Sequence, residues 1–206
     1  LSKGGLSKLA LSSEYSPVLE CCSDLISHNV YKLIEEGPEE LLNQTSVTQP
    51  ILLLCSYLHF QKLINTIDIV PAYYAGHSLG EYSALVAGNS LSIIEALTLV
   101  RKRGELMELA PQGSMSAIMG LDYNIINDIC STLSMDENFH VQCANLNSPS
   151  QTVISGHDEA VNKAQDLCLS RGAKRGIKLK VSIASHSKLM LSAADEFQHA
   201  LESIKF

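Results

Sequence analysis

Ser78 stands inside Gly-His-Ser-Leu-Gly, and the chemistry open to such a frame is nucleophilic: a hydroxyl lifted off a strand-to-helix turn can attack an acyl carbon. A serine needs a base, and among the seven histidines His186 differs from the rest. His28, His140 and His199 sit among polar residues and His59 on an apolar helix, whereas His186 lies in "ASHS", where a strand gives way to a helix and an imidazole could take the serine proton. Arg103 adds a third group. At about 3.6 residues per turn, it falls on the apolar stripe of Ile93, Ala96, Leu97 and Val100, while Arg101, Lys102, Glu105 and Glu108 fall on the opposite, solvated face. An arginine on a core-facing stripe demands an acceptor, and two remain open: an internal carboxylate, or the carboxylate of a substrate.

The elements that must position these groups follow from periodicity and turn residues. The run "IDIVPAYYAG" before Ser78 is rich in β-branched and aromatic residues and predicts a strand, and residues 79–87 predict the helix that completes the elbow. Gly76 and Gly80 remove side chains that would crowd the turn, and the helix start would aim free N–H groups at an oxyanion. Ser92 and Glu95 form a capping box, so Arg103 rides on a helix that starts near Ile93 and ends before Pro111. Upstream, the segment 16–43 reads as helical with a turn at "GPEE", and "TQPILLLCSYLHFQKLIN" reads as a buried helix opened by Pro50.

Residues 114–181 change character. They read strand "MSAIMGL", helix "YNIINDICSTL", strand "FHVQCANLN", strand "QTVISGH", helix "DEAVNKAQDLCLSRG" and strand "KRGIKLKV", the β-α-β-β-α-β order of a ferredoxin-like unit inserted into a larger domain. The chain then returns to a helix with Met190, Ala194, Phe197, Leu201 and Ile204 on one face.

Composition narrows the function classes. With 46% hydrophobic and 18% charged residues, the chain suits a compact α/β protein. A net charge of -7 argues against a general nucleic-acid binder. The longest apolar stretch, residues 50–60, is too short to span a bilayer, and six cysteines without metal-type spacing read as reduced core residues, so the expectation is a soluble, cytoplasmic protein.

In order along the chain, "TQPILL", "AGHSLGEYSALVAG", "LVRKRGELM", "GSMSAIMGL", "NLNSPSQTVISGH" and "VSIASHSKLM" together resemble the malonyl-CoA:acyl carrier protein transacylase family of type II fatty acid synthesis. The resemblance implies an α/β fold with a hydrolase-like parallel-sheet core, residues 1–113 and 182–206, carrying the ferredoxin-like insertion over 114–181. It implies Ser78 as nucleophile, His186 as general base, the Leu79 N–H in the oxyanion hole, Arg103 on the malonyl carboxylate, and Gln49 and His77 lining the pocket. It also implies ping-pong transfer of malonyl from malonyl-CoA to the phosphopantetheine thiol of acyl carrier protein, without a cofactor or metal, by a monomer. Within an otherwise acidic chain, Lys174, Arg175, Lys178 and Lys180 are the candidate docking residues for that acidic partner, with a solvated strand edge as the alternative.

Two family segments have no counterpart here: the Gly-Gln-Gly-Ser-Gln loop that supplies the other oxyanion donor, and the segments that follow the "SH" helix. Loss of one oxyanion donor costs on the order of 10² to 10³ in turnover, so impaired catalysis is expected of these residues alone. A serine esterase or thioesterase, and a non-catalytic carrier-protein-binding fragment, are the competing readings.

Overall fold

The computed structural model describes residues 15–136 and 138–204, so the outermost ends of the expected core lie outside the described residues. The chain divides into two compact units, the first running to Glu108 and resuming at Glu196, the second spanning Leu109–Asp195. Residues 182–195, with His186, therefore cluster with the second unit.

The first unit is helical among its described residues. Helices α1 (Ser16–Ile26), α2 (Val30–Glu36) and α3 (Glu39–Leu42) lead into α4 (Thr45–Thr66), followed by α5 (Gly80–Ala87) and α6 (Ile93–Leu109). The core sits where α4 and α6 turn their apolar stripes inward, with Ile51, Leu54, Leu58, Leu97 and Val100 fully buried. The Ser92–Glu95 capping box forms as expected, the Glu95 N–H donating to Ser92 Oγ at 3.2 Å and the Ser92 N–H to Glu95 Oε2 at 3.3 Å.

Two local expectations are corrected. Helix α4 begins at Thr45, five residues before Pro50, which lies inside it. Proline has no N–H for the Ser46 carbonyl, and Arg101 supplies the missing donor, its Nη1 reaching Ser46 O at 3.0 Å. Glu108 Oε1 accepts from the Ser46 N–H at 2.8 Å, so Arg101, partly exposed, and Glu108, exposed as expected, also satisfy the start of α4. The approach is close: a Cβ on Gly104 would meet Ser46 Cα at 2.5 Å. The second correction concerns "IDIVPAYYAG", which forms no strand. β-Branched residues favour a pleated surface only where a ladder exists, and no described strand pairs with this segment, leaving Val70 and Tyr73 each 92% exposed.

The second unit carries the sheet. Strand β1 (Ser114–Met119), helix α7 (Tyr123–Leu133), strands β2 (Val141–Ser148) and β3 (Gln151–Gly156), helix α8 (Asp158–Ser170) and strand β4 (Arg175–Lys178) follow in that order. The four-stranded sheet runs β2-β3-β1-β4, and every pairing is antiparallel. Period-two alternation puts Ile118 and Ile154 on one face, packed with Ile126, Ile129 and Cys130 of α7 and Ala160, Ala164 and Cys168 of α8. Strand β4 is shorter than expected because pairing stops at Lys178. After a 3₁₀ turn at Lys188–Met190 comes α9 (Leu191–Glu202); Phe197, Leu201 and Ile204 of its expected face pack on apolar core, whereas Ala194 is exposed and Ala193 buried in its place. Among the described residues, no helix is long and apolar enough to cross a membrane.

Candidate active site

The elbow around Ser78 is built by glycine and by strain. Ser78 has φ 54°, a left-handed conformation that costs a non-glycine residue about 1–2 kcal/mol. The turn closes through the Gly80 N–H donating to His77 O at 2.9 Å and the Glu81 N–H donating to Ser78 O at 3.1 Å. Gly76 makes the bend possible: a Cβ there would lie 1.9 Å from the carbonyl carbon and oxygen of Gly80. Gly80 is not required in the same sense, since a Cβ on it would meet nothing within 4 Å. That corrects the expectation that both glycines relieve crowding. Leu79 packs its side chain on the apolar core at the mouth of α5, and His77 projects from the turn beside Ser78, exposed.

Arg103 points to this elbow. Its Nη1 donates to Gln49 Oε1 at 2.6 Å, and its Nη2 donates to Ser78 Oγ at 3.2 Å. Gln49 is 5% exposed, and its Nε2 rests on the thioether of Met107 at 3.4 Å. Three of the expected site residues, Ser78, Arg103 and Gln49, thus meet within the first unit. Of the two acceptors left open for Arg103, an internal carboxylate is not found: among the described residues it makes no salt bridge. Burial pulls its guanidinium below the ordinary value, opposed by the Tyr82 hydroxyl and the Glu81 carboxylate. Burial likewise raises the Tyr82 phenol, against the pull of Arg103. Tyr82 had no signal in the sequence beyond its place in the helix after Ser78.

His186 belongs to the second unit and, like Ser78, is held at positive φ, here 59°. The Ser187 side chain organises its turn, Oγ donating to Ala184 O at 2.7 Å and accepting from the Leu189 N–H at 3.2 Å. The four basic residues do not act alike. Lys178 Nζ is committed to Asp158 Oδ1 at 2.6 Å, and the Lys174 stem covers Gly120. Arg175, three positions from Lys178, points to the opposite face of β4. No group of three or more His, Cys, Asp or Glu side chains suited to a metal ion occurs among the described residues.

The profile of the family described as "Acyl transferase domain" matches residues 17–206. The chain is 41% identical over 202 residues to the malonyl CoA-acyl carrier protein transacylase of Haemophilus influenzae, covering 95% of this chain and 64% of that protein. It is 42% identical over 187 residues to the enzyme of the same name from Escherichia coli K12, covering 89% and 60%. Among solved structures, it is similar to the complex of a type II PKS acyl-carrier protein with its malonyl-transacylase, with a TM-score of 0.91 and 40% identity over 100% of this chain and 67% of that one. FabD from Acinetobacter baumannii gives a TM-score of 0.90 at 37% identity, covering 99% and 65%. The chain therefore spans 60–64% of the length of these two curated relatives.

Proposed function

Because the chain belongs to the acyl transferase domain family, among the relatives of malonyl CoA-acyl carrier protein transacylases, we propose that it carries the acyl-loading centre of an enzyme that moves malonyl groups from malonyl-CoA to acyl carrier protein. The observation that carries this reading is Arg103: a largely buried cation, paired with no described carboxylate, whose second arm lies 3.2 Å from the Ser78 oxygen. In a malonyl group the free carboxylate is two bonds from the reacting carbonyl carbon. An arginine that reaches the nucleophile therefore also reaches the carboxylate of an acyl group esterified there, whereas a neutral acyl chain would leave the guanidinium without that partner.

In the proposed reaction His186 takes the Ser78 proton as Oγ attacks the thioester carbon. The tetrahedral oxyanion is stabilised by the Leu79 N–H at the start of α5, and the CoA thiolate leaves to give malonyl-Ser78. The phosphopantetheine thiol of the carrier protein then attacks that ester and regenerates the Ser78 hydroxyl. His186 has this role on the strength of its "SIASHS" motif, and Gln49 that of anchoring Arg103. His77 is assigned to the pocket lining by its position beside Ser78. Every participant is a side chain or a backbone group, so the scheme calls for no cofactor.

The finer architecture we infer is a hydrolase-like parallel-sheet core, residues 1–113 and 182–206, interrupted by a ferredoxin-like insertion over 114–181. The β-α-β-β-α-β order and the strand order β2-β3-β1-β4 support the insertion, and the sharp turn from residues 67–76 into α5 supports the core. Carrier-protein docking falls to Lys174, Arg175 and Lys180, with Lys178 contributing less because Asp158 already neutralises it. A monomer working in the cytoplasm completes the reading.

The experiment is to incubate the protein with malonyl-CoA and weigh it intact. A malonyl adduct that disappears in Ser78→Ala, and that passes to carrier protein on addition, supports the proposal. Free malonate released without transfer would favour a hydrolase.

A further inference from the structure

A glutamine from the sheet grips the turn that carries His186. Gln142 lies on β2, and its side-chain Nε2 donates to the His186 carbonyl oxygen at 3.2 Å, while its Oε1 accepts from the Lys188 N–H at 3.1 Å. The amide thus spans the turn, one arm on the residue at φ 59° and the other two residues on. A left-handed conformation at a non-glycine residue persists only where its surroundings over-determine it. Ser187 binds this turn from within, and Gln142 binds it from outside.

The amide is itself fixed. Oε1 can only accept, so its contact with His140 Nε2 at 2.7 Å requires the proton on that nitrogen. The His140 backbone N–H donates to His157 Nδ1 at 2.9 Å, and the His157 N–H returns a bond to His140 O at 2.9 Å. Cross-strand pairing of Gln142 with Ser155, which is fully buried, sets the glutamine on a rigid strand rather than a loop. All of these residues belong to the second unit.

We propose that Gln142 is a positioning residue for His186: its side-chain amide holds the left-handed turn that aims the imidazole, and His140 holds the amide. The proposal rests on the reading of His186 as the base. Gln142 does not touch substrate. It acts through the backbone of residues 186–188, so its loss should slow proton removal from the nucleophile without changing how malonyl-CoA is held.

The test is a double-mutant cycle of Gln142→Ala and His186→Ala in the full chain, read as the rate of Ser78 acylation by malonyl-CoA. Gln142→Ala alone is expected to lower the rate at saturation by about 10- to 100-fold, the scale on which misplaced catalytic groups lose rate. The half-saturating concentration should stay put, because Arg103 and Gln49 are untouched. In the His186→Ala background Gln142→Ala should cost nothing further. The Lys188 amide, deprived of its acceptor, should exchange with deuterium faster. Gln142→Glu is the second variant, for use if the alanine variant folds poorly: it keeps the acceptor for Lys188 and loses the donor to His186 O, so acylation should slow while the Lys188 amide stays protected.

A folded Gln142→Ala protein acylated at the full rate would overturn the proposal, as would an equal loss with and without His186, which marks a merely structural role. Full acylation in His186→Ala alone would instead sink the base reading, and Lys188 exchange would then decide whether Gln142 holds the turn.

Discussion

Arg103 and Gln49 are joined by a 2.6 Å hydrogen bond in which a neutral amide, and not a carboxylate, accepts from the cation. The amide fixes one arm of the guanidinium without neutralising it. The charge stays available beside Ser78, and its removal from water heightens its demand for an anion.

Arg103→Ala should therefore lower malonyl loading of Ser78 by about 100-fold or more, the scale of deleting one partner of a desolvated charged pair. Acetyl loading should hold or rise. Arg103→Lys should recover little, since a point charge cannot serve both Gln49 and a carboxylate. Intact mass after incubation with each acyl-CoA reads both rates, and unchanged malonyl loading in Arg103→Ala would remove the clamp.

The two glycines of the serine frame should respond differently. Gly76→Ala drives a Cβ into the Gly80 carbonyl and should cost about 3 kcal/mol, the upper range for overpacking, whereas Gly80→Ala should stay within about 0.5 kcal/mol. Urea unfolding midpoints of the two variants check this, and equal effects would contradict the geometry.

The Ser46 carbonyl links Pro50 to Arg101. Arg101→Ala leaves that carbonyl without its donor and should destabilise the chain by about 1–3 kcal/mol. In a Pro50→Ala background the helix regains its own N–H, and the same substitution should cost about 1 kcal/mol less. Additive losses would show that Arg101 contributes through Glu105 alone, at 2.7 Å on the same helix.

Alkaline stability should depend on buried thiols. Burial, with help from the neighbouring Cys21 and Cys55, pushes the Cys22 thiol from 9.0 up to about 12, and burial raises Cys55 and Cys168 to about 11. The folded values lie above the unfolded one, so this contribution is fully present below pH 9.0 and is lost as pH rises toward about 12. The thermal midpoint should fall over that window. Cys22→Ala, although less stable at pH 8, should show a shallower fall, and parallel curves would rule the thiol out.

What the sequence disclosed and what it concealed divides by the range of the interaction. The Ser92–Glu95 box, the edges of α7 and the antiparallel unit follow from neighbours a few residues apart, and those patterns are local. The partnership of Arg103 with Gln49 spans 54 positions, so the stripe on α6 showed a cation in need of an acceptor without naming it. A helical wheel knows only its own helix: it puts Arg101 and Glu108 on the side facing water, where Glu108 is exposed, but does not show that the orphan groups they satisfy belong to α4. Gln142 left no trace, being one polar residue in an alternating strand whose meaning depends on a turn 44 positions away. Residues 67–76 carried a genuine β composition, but a strand is a relation between two segments and not a property of one.

That segment, which pairs with no strand among the described residues, has a consequence for handling the protein. Among the described residues it keeps Ile69, Val70, Tyr73 and Tyr74 exposed, a composition open to strand addition, and the charge of Asp68 and the missing N–H of Pro71 both oppose such pairing. These two act as gatekeepers. Replacing Pro71 with a β-branched residue should therefore make the strip more prone to associate, which light scattering across a concentration series would read.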